Sequence, residues 1–313
     1  MIGRRLLLLG GAAALAGCTG DGNPPRLPWS PPSPLPVTLP DGLAGRLGRT
    51  AALAGLLVGN AAAWKLTATR VHTLEWFRTA SLEHLLVLTS ADPARRQRAG
   101  VMPTEPSAPA LRTVAATQAA LSRELLALQG VHRASARTAT GPAALLWASL
   151  AAFSATMAAV LPHGVGALGD DGTDRTPDLT ATDVHRVLLL TAQAVYSYEM
   201  ALAASGLTKA DRGTLRSRLR QWQALRPMIL SAAPDIELTA PSIGYDLRPA
   251  RDRSMAWQIA VHTESAALEL LGAWIAGPAT PAQRRIGVDA LAATNAALVR
   301  FGGSALRWPG WPG

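Results

Sequence analysis

Past Cys18 the sequence contains no cysteine, so disulfides, thiolate metal ligands and a nucleophilic thiol are excluded from everything downstream of it. Lysine is almost missing as well: Lys65 and Lys209 are the only two, and nearly all of the basic charge is arginine. With alanine so abundant beside it, the arginine reads as coding bias of a GC-rich genome. The arginines are scattered and no aromatic-basic motif accompanies them, so no nucleic-acid partner is expected. No Glu-x-x-His occurs anywhere, which removes the paired motif that a carboxylate-bridged di-iron helical bundle needs. A Gly-x-Ser-x-Gly elbow, a phosphate-binding loop and a dinucleotide fingerprint are also lacking. Period-two alternation of β-branched residues is missing, which leaves no candidate strands.

What is present begins at the N-terminus. Arg4 and Arg5 precede an apolar run from Leu6 to Leu15, which ends in Leu15-Ala16-Gly17-Cys18. A basic start, a short apolar stretch and small residues make a secretory signal, and the run is too short for a bilayer span of about 20 residues. The pattern resembles the lipobox of bacterial lipoproteins. It implies cleavage before Cys18, acylation of that thiol, and a mature chain held by its lipid at the extracytoplasmic face of the cell membrane. The Arg4-Arg5 pair is equally compatible with ordinary secretion and twin-arginine export. The formal charge is +9, and +7 once Arg4 and Arg5 are removed, a balance that favours anionic surfaces. Eight prolines between Pro24 and Pro40 withdraw backbone donors and favour extended chain, so residues 18–41 read as a tether.

From Asp41 the pattern is helical throughout. Eight helices are expected, at Gly42–Leu66, Thr67–Ser90, Pro109–Ala134, Pro142–Leu161, Thr182–Ser205, Lys209–Ala232, Pro249–Ala276 and Pro281–Phe301. Gly206 suits a left-handed helix end, Thr208 with Asp211 a capping start, and Thr280, Pro281 and Gln283 a cap, a first-turn proline and a capping-box partner. Four landmarks recur at a nearly constant spacing: Leu66-Thr67 with Leu207-Thr208, Pro93 with Pro234, Glu124 with Glu264, and Pro142 with Pro281. That regularity argues for duplication of a four-helix unit. The expected organisation is a leader (1–17), the acylated tether (18–41), a first bundle (42–165), an acidic linker (166–179) and a second bundle (180–313). Ala143 to Leu161 is apolar and of near-spanning length, but it is alanine-rich and followed by Asp170, Asp171 and Asp174. We expect it buried between the halves.

The second half carries a resemblance. Ala194-Val195-Tyr196-Ser197-Tyr198, an arginine-rich helix through Arg226, Glu264 followed by small residues, and the closing Trp308-Pro309-Gly310-Trp311-Pro312-Gly313 resemble an actinobacterial ferritin-like domain family of unassigned function. The resemblance spans about residues 180–313 and implies a ferritin-like four-helix bundle, without implying a reaction. Thr191 and Ala192 stand where an acid and a histidine would be expected, and Pro227 falls inside the second helix of that half, where it is expected to interrupt it.

Candidate sites follow from these pieces. Glu264 and Arg226, each in an otherwise apolar segment, are the expected buried ion pair; Glu83-His84 and Glu124 pose the same question in the first half. His262 and Glu269, seven apart on one helical face, are the weak candidates for an atypical metal site, whereas His262 and Glu264 diverge. Arg212, Arg216 and Arg220 line one helical face that could meet phosphate head groups. No cofactor and no catalytic residue is expected. The expectation is a non-enzymatic, lipid-anchored envelope protein, all-α, with an envelope protein or small ligand as partner. The alternative is a ferritin-like oxidase or metal-storage protein with an atypical site in the second bundle.

Overall fold

The computed structural model describes residues 37–96, 100, 111–169, 184–236 and 248–311. Cys18 and most of the proline-rich tether and of the acidic linker lie outside them. The fold is all-α: helices α1 (Leu43–Gly59), α2 (Ala68–Leu88), α3 (Val114–Thr138), α4 (Gly141–Val160), α5 (Val184–Leu202), α6 (Lys209–Ser231), α7 (Arg253–Ala276) and α8 (Pro281–Arg300), with one 3₁₀ turn at Pro93–Arg95.

The boundaries have local causes. Thr67, Thr113, Thr208, Asp252 and Thr280 each accept a backbone N–H of the first turn of α2, α3, α6, α7 and α8, and Thr208–Asp211 and Thr280–Gln283 are complete capping boxes. α1 stops at Gly59, seven residues short of the expected Leu66. Asn60 turns its side chain back onto the carbonyl of Leu56, and Lys65 takes a positive φ of 52° before α2 begins. Pro227 does not interrupt α6, which continues to Ser231. It sits near the C-terminus on the exposed face, where the carbonyl left without a donor can meet water.

Within the chain order, α1 packs on α2 and α3, and α3 on α4; α5 packs on α6 and α7, and α7 on α8. The two sets meet through α4 against α8, with α4 also on α7 and α3 also on α8. Residues 34–313 form one compact unit. The core that runs through it joins Leu145, Leu146 and Leu150 of α4 to Leu268, Leu271 and Leu291 of α7 and α8. α4 is long and apolar enough to cross a membrane by length and composition, and 78% of its apolar window is buried inside the fold, as expected from the sequence. Where α4 meets α8, Asn295 Nδ2 donates to Thr156 Oγ1 at 2.8 Å.

The chain after α8 returns over both sets of helices. Phe301 closes α8, and Gly303 N donates to Leu298 O at 2.9 Å. Ala305 then pairs with the segment after α4: Gly169 N donates to Ala305 O at 2.8 Å and Ala305 N to Ala167 O at 3.0 Å. Further on, Gly310 lies flat against α7. A Cβ on Gly272 would stand 1.9 Å from the Gly310 carbonyl oxygen, so the approach requires glycine on the helix.

Candidate functional site

Side chains of α5 and α6 converge on Glu264 of α7, whose exposure is 0%. Arg218 of α6, 7% exposed, reaches it in fork geometry, with Nε donating to Oε1 at 2.9 Å and Nη2 to Oε2 at 2.6 Å. Tyr198 of α5 donates its hydroxyl to Oε1 at 2.5 Å, and Trp222 of α6 donates Nε1 to the same oxygen at 3.0 Å. Arg218 also donates Nη2 to Thr294 Oγ1 at 2.8 Å and Nη1 to Gln221 Oε1 at 2.9 Å, and its guanidinium lies over the Trp222 ring. Burial, and then the adjoining Glu264 carboxylate, push the Tyr198 hydroxyl far above the ordinary phenol range. Tyr198 is therefore a fixed donor.

The sequence correctly singles out Glu264 as a buried, paired carboxylate, but the partner is Arg218. Arg226 lies two helical turns further on and is exposed. The heptad-plus-one spacing from Arg218 to Arg226 rotates the side chain away from the α5–α7–α8 interior. The sequence signal for Arg218 was available: Leu215, Arg218, Trp222, Leu225 and Ile229 make the buried stripe of α6, and Arg218 falls on that stripe whereas Arg226 does not.

Beside this network a groove of about 470 Å³ opens between α5 and α7. Leu190, Ala194 and Ile259 make its apolar floor, and Gln193, Gln258 and His262 stand on its exposed rim. Thr263 has spent its hydroxyl on Ile259 O. His262 thus faces a groove, and Glu269 is exposed two turns along α7. Among the described residues no group of three or more His, Cys, Asp or Glu side chains is placed to hold a metal ion.

Glu83 and His84 of α2 form a second buried cluster, and both hold the C-terminal segment. Glu83 Oε2 accepts from Arg307 Nη1 at 3.1 Å and Oε1 from Trp308 Nε1 at 3.3 Å. His84 Nε2 lies 2.9 Å from Arg307 O; a carbonyl can only accept, so the proton sits on Nε2. The His84 ring packs edge-on against Phe153 and Trp308, each 4.5 Å away between centroids. Burial lowers His84 to about 4, and lowers His132, whose Nδ1 is 3.3 Å from Ser154 Oγ, to about 3. Both are neutral at pH 7. The cluster closes with Arg96 stacked over Trp311. The partner of Glu83 lies 224 residues away, and no local pattern connects the two.

Glu124 is different: it is only partly buried on α3 and takes Arg46 and Arg49 of α1. Of the arginine stripe, Arg212 is half-buried and donates Nη1 to Leu202 O and Nη2 to Ala204 O, satisfying the end of α5, while Arg216 and Arg220 are exposed. Asp211, at the start of α6, is held by Arg253 and Thr208, which bring its carboxyl down to about 2.

Compared with known protein families, with curated proteins and with solved structures, the chain matches none.

Proposed function

We propose that this chain is a lipid-anchored protein of the extracytoplasmic face of the cell membrane, built from two tandem ferritin-like bundles, which acts by binding and not by catalysis. The observation that carries the reading is the occupancy of Glu264. Both carboxylate oxygens are taken by Arg218, Tyr198 and Trp222, so the most buried acid of the second half has a protein partner at every position a ligand would need. A buried charge served in this way fixes the packing of three helices and has no free valence for chemistry.

Duplication is supported by the pattern of packing. If α1–α4 and α5–α8 are copies, then α4 on α8 is a contact between equivalent helices, and α4 on α7 is the counterpart of α8 on α3; all three occur. Thr156 and Asn295, which hydrogen-bond each other, have the same spacing as the repeated prolines Pro142 and Pro281. A residue that touches its own equivalent lies on a two-fold axis. The α5–α7 groove, with its apolar floor and polar rim, is the binding place this reading favours.

Two measurements test it. Mass spectrometry of the protein extracted from membranes should find diacylglycerol on an N-terminal Cys18, and a non-acylated N-terminus would end the anchored reading. Metal analysis of protein purified without chelator should find less than stoichiometric transition metal. A stoichiometric metal that is lost in His262→Ala and Glu269→Ala variants would replace binding by the metal-dependent alternative.

A further inference from the structure

We propose that the outer face of α6 docks on an anionic phospholipid surface. The inference deepens the anchored reading and rests on it for the presence of a bilayer nearby; the contact itself is argued from α6. Arg212, Arg216, Arg220, Ala224 and Met228 follow one another at four-residue spacing, the ridge that runs along a helix surface. Arg216 and Arg220 are exposed, and the ridge ends in Met228, an exposed large hydrophobic side chain at 48%. Lys209 and Arg226 flank it and are exposed as well.

Among the described residues no carboxylate neutralises this face; exposed arginines such as Arg112, Arg123 and Arg285 share that property, so what sets α6 apart is the four-residue row. Arg46, Arg49, Arg133, Arg137, Arg253 and Arg307 all have carboxylate partners, whereas Arg216, Arg220 and Arg226 have no ion pair among the described residues. The single acid of α6, Asp211, is buried and held by Arg253, and the remaining arginine, Arg218, points inward to Glu264. Glu199 on α5 and Asp235 beyond α6 are the exposed acids nearest in sequence. α6 packs on α5 and α8, which leaves its opposite side outermost. Arg212 is anchored on the Leu202 and Ala204 carbonyls at and just past the end of α5, so the row starts from a fixed point.

Guanidinium groups at one-turn intervals suit a plane of phosphodiesters, because each planar fork takes two phosphate oxygens and loses little hydration. An exposed methionine at the end of the row adds apolar contact at the boundary between head groups and acyl chains. Each basic side chain close to an anionic bilayer contributes about fivefold to affinity, and the effect fades within a Debye length.

The test uses the mature chain from residue 18 with Cys18→Ser, which has no lipid and retains the whole compact unit, Pro34–Gly313. It is floated with vesicles of phosphatidylcholine alone or with one-third phosphatidylglycerol, at low and high salt. The expected result is flotation with the anionic vesicles only, lost at high salt. Arg216→Gln/Arg220→Gln should weaken binding about thirtyfold with an unchanged far-UV spectrum and melting temperature. Arg112→Gln/Arg123→Gln, which removes two exposed arginines from the first half, should leave binding within about twofold. The proposal is overturned by equal binding to both vesicle types, by no binding to either, or by equal losses in the two double variants, which would assign binding to net charge. Lipid on Cys18 is read separately by mass spectrometry, so a failure of the anchor and a failure of the docking face are told apart.

Discussion

Glu264 shows how one buried carboxylate can tie three helices together. Its charge is affordable in the interior because Arg218 neutralises it and Tyr198 and Trp222 complete its hydrogen bonds. Removing the carboxylate alone leaves Arg218 buried and unpaired, so Glu264→Ala should destabilise the fold by about 3–5 kcal/mol. The cycle of Glu264→Ala with Arg218→Ala, measured by urea unfolding, should be strongly non-additive, and the same cycle with Arg226→Ala should be additive. Additivity with Arg218 would refute the pairing. The buried histidines set a second expectation. His84 titrates near 4 when folded and near 6.5 when unfolded, so below pH 6.5 the unfolded chain binds the extra proton and the fold loses stability as pH falls. Between pH 6.5 and pH 4 the loss is about 3 kcal/mol for His84 and a similar amount for His132. Unfolding free energies at a series of pH values should show this slope, and His132→Leu should flatten it by about one proton. An unchanged slope in that variant would place the titration elsewhere.

At the scale of elements, the C-terminal segment is the least expected part. It is held by Glu83 and His84 of α2, by the pairing with residues 167–169, and by the contact of Gly310 with α7. Gly272→Ala would press a methyl group into the Gly310 carbonyl, a backbone atom that cannot rotate away. The expected outcome is a loss of about 1–3 kcal/mol, with displaced tryptophan emission from Trp308 and Trp311 and faster carboxypeptidase digestion. An Ala variant with unaltered emission and stability would show that the tail is not seated on α7. Helix identities and most starts were legible in the sequence, because capping threonines and first-turn prolines act over three or four residues. The end of α1 was not legible. Its apolar pattern runs past Gly59, and Asn60 with Lys65 stops it by a local turn that the pattern does not signal. Pro227 was misleading in the other direction, since a proline on the solvent side of a last turn costs little of the helix.

For the whole molecule, the decisive feature is the placement of α4. Its surface is apolar nearly all round, and α3, α7 and α8 cover it. Neither set of four helices can bury that surface alone. Unfolding in guanidinium should therefore be a single transition, with coincident curves from tryptophan fluorescence and far-UV circular dichroism. Residues 42–165 expressed alone should expose α4 and aggregate; a well-folded monomeric fragment would show that the halves are independently stable.

The all-α class, the number of helices, the capping residues and the burial of Glu264 were determined by the sequence itself, because periodicity, first-turn chemistry and an isolated charge in an apolar stretch are local properties. Tertiary structure alone decided that Arg218 and not Arg226 meets Glu264, that Glu83 and His84 grip a segment more than 200 residues away, and that α7 and α8 are the helices of the second half that cover α4. Those outcomes depend on helix rotation and on chain return, where one residue of phase turns a side chain by about 100° and no neighbouring residue records which way the distant partner will come.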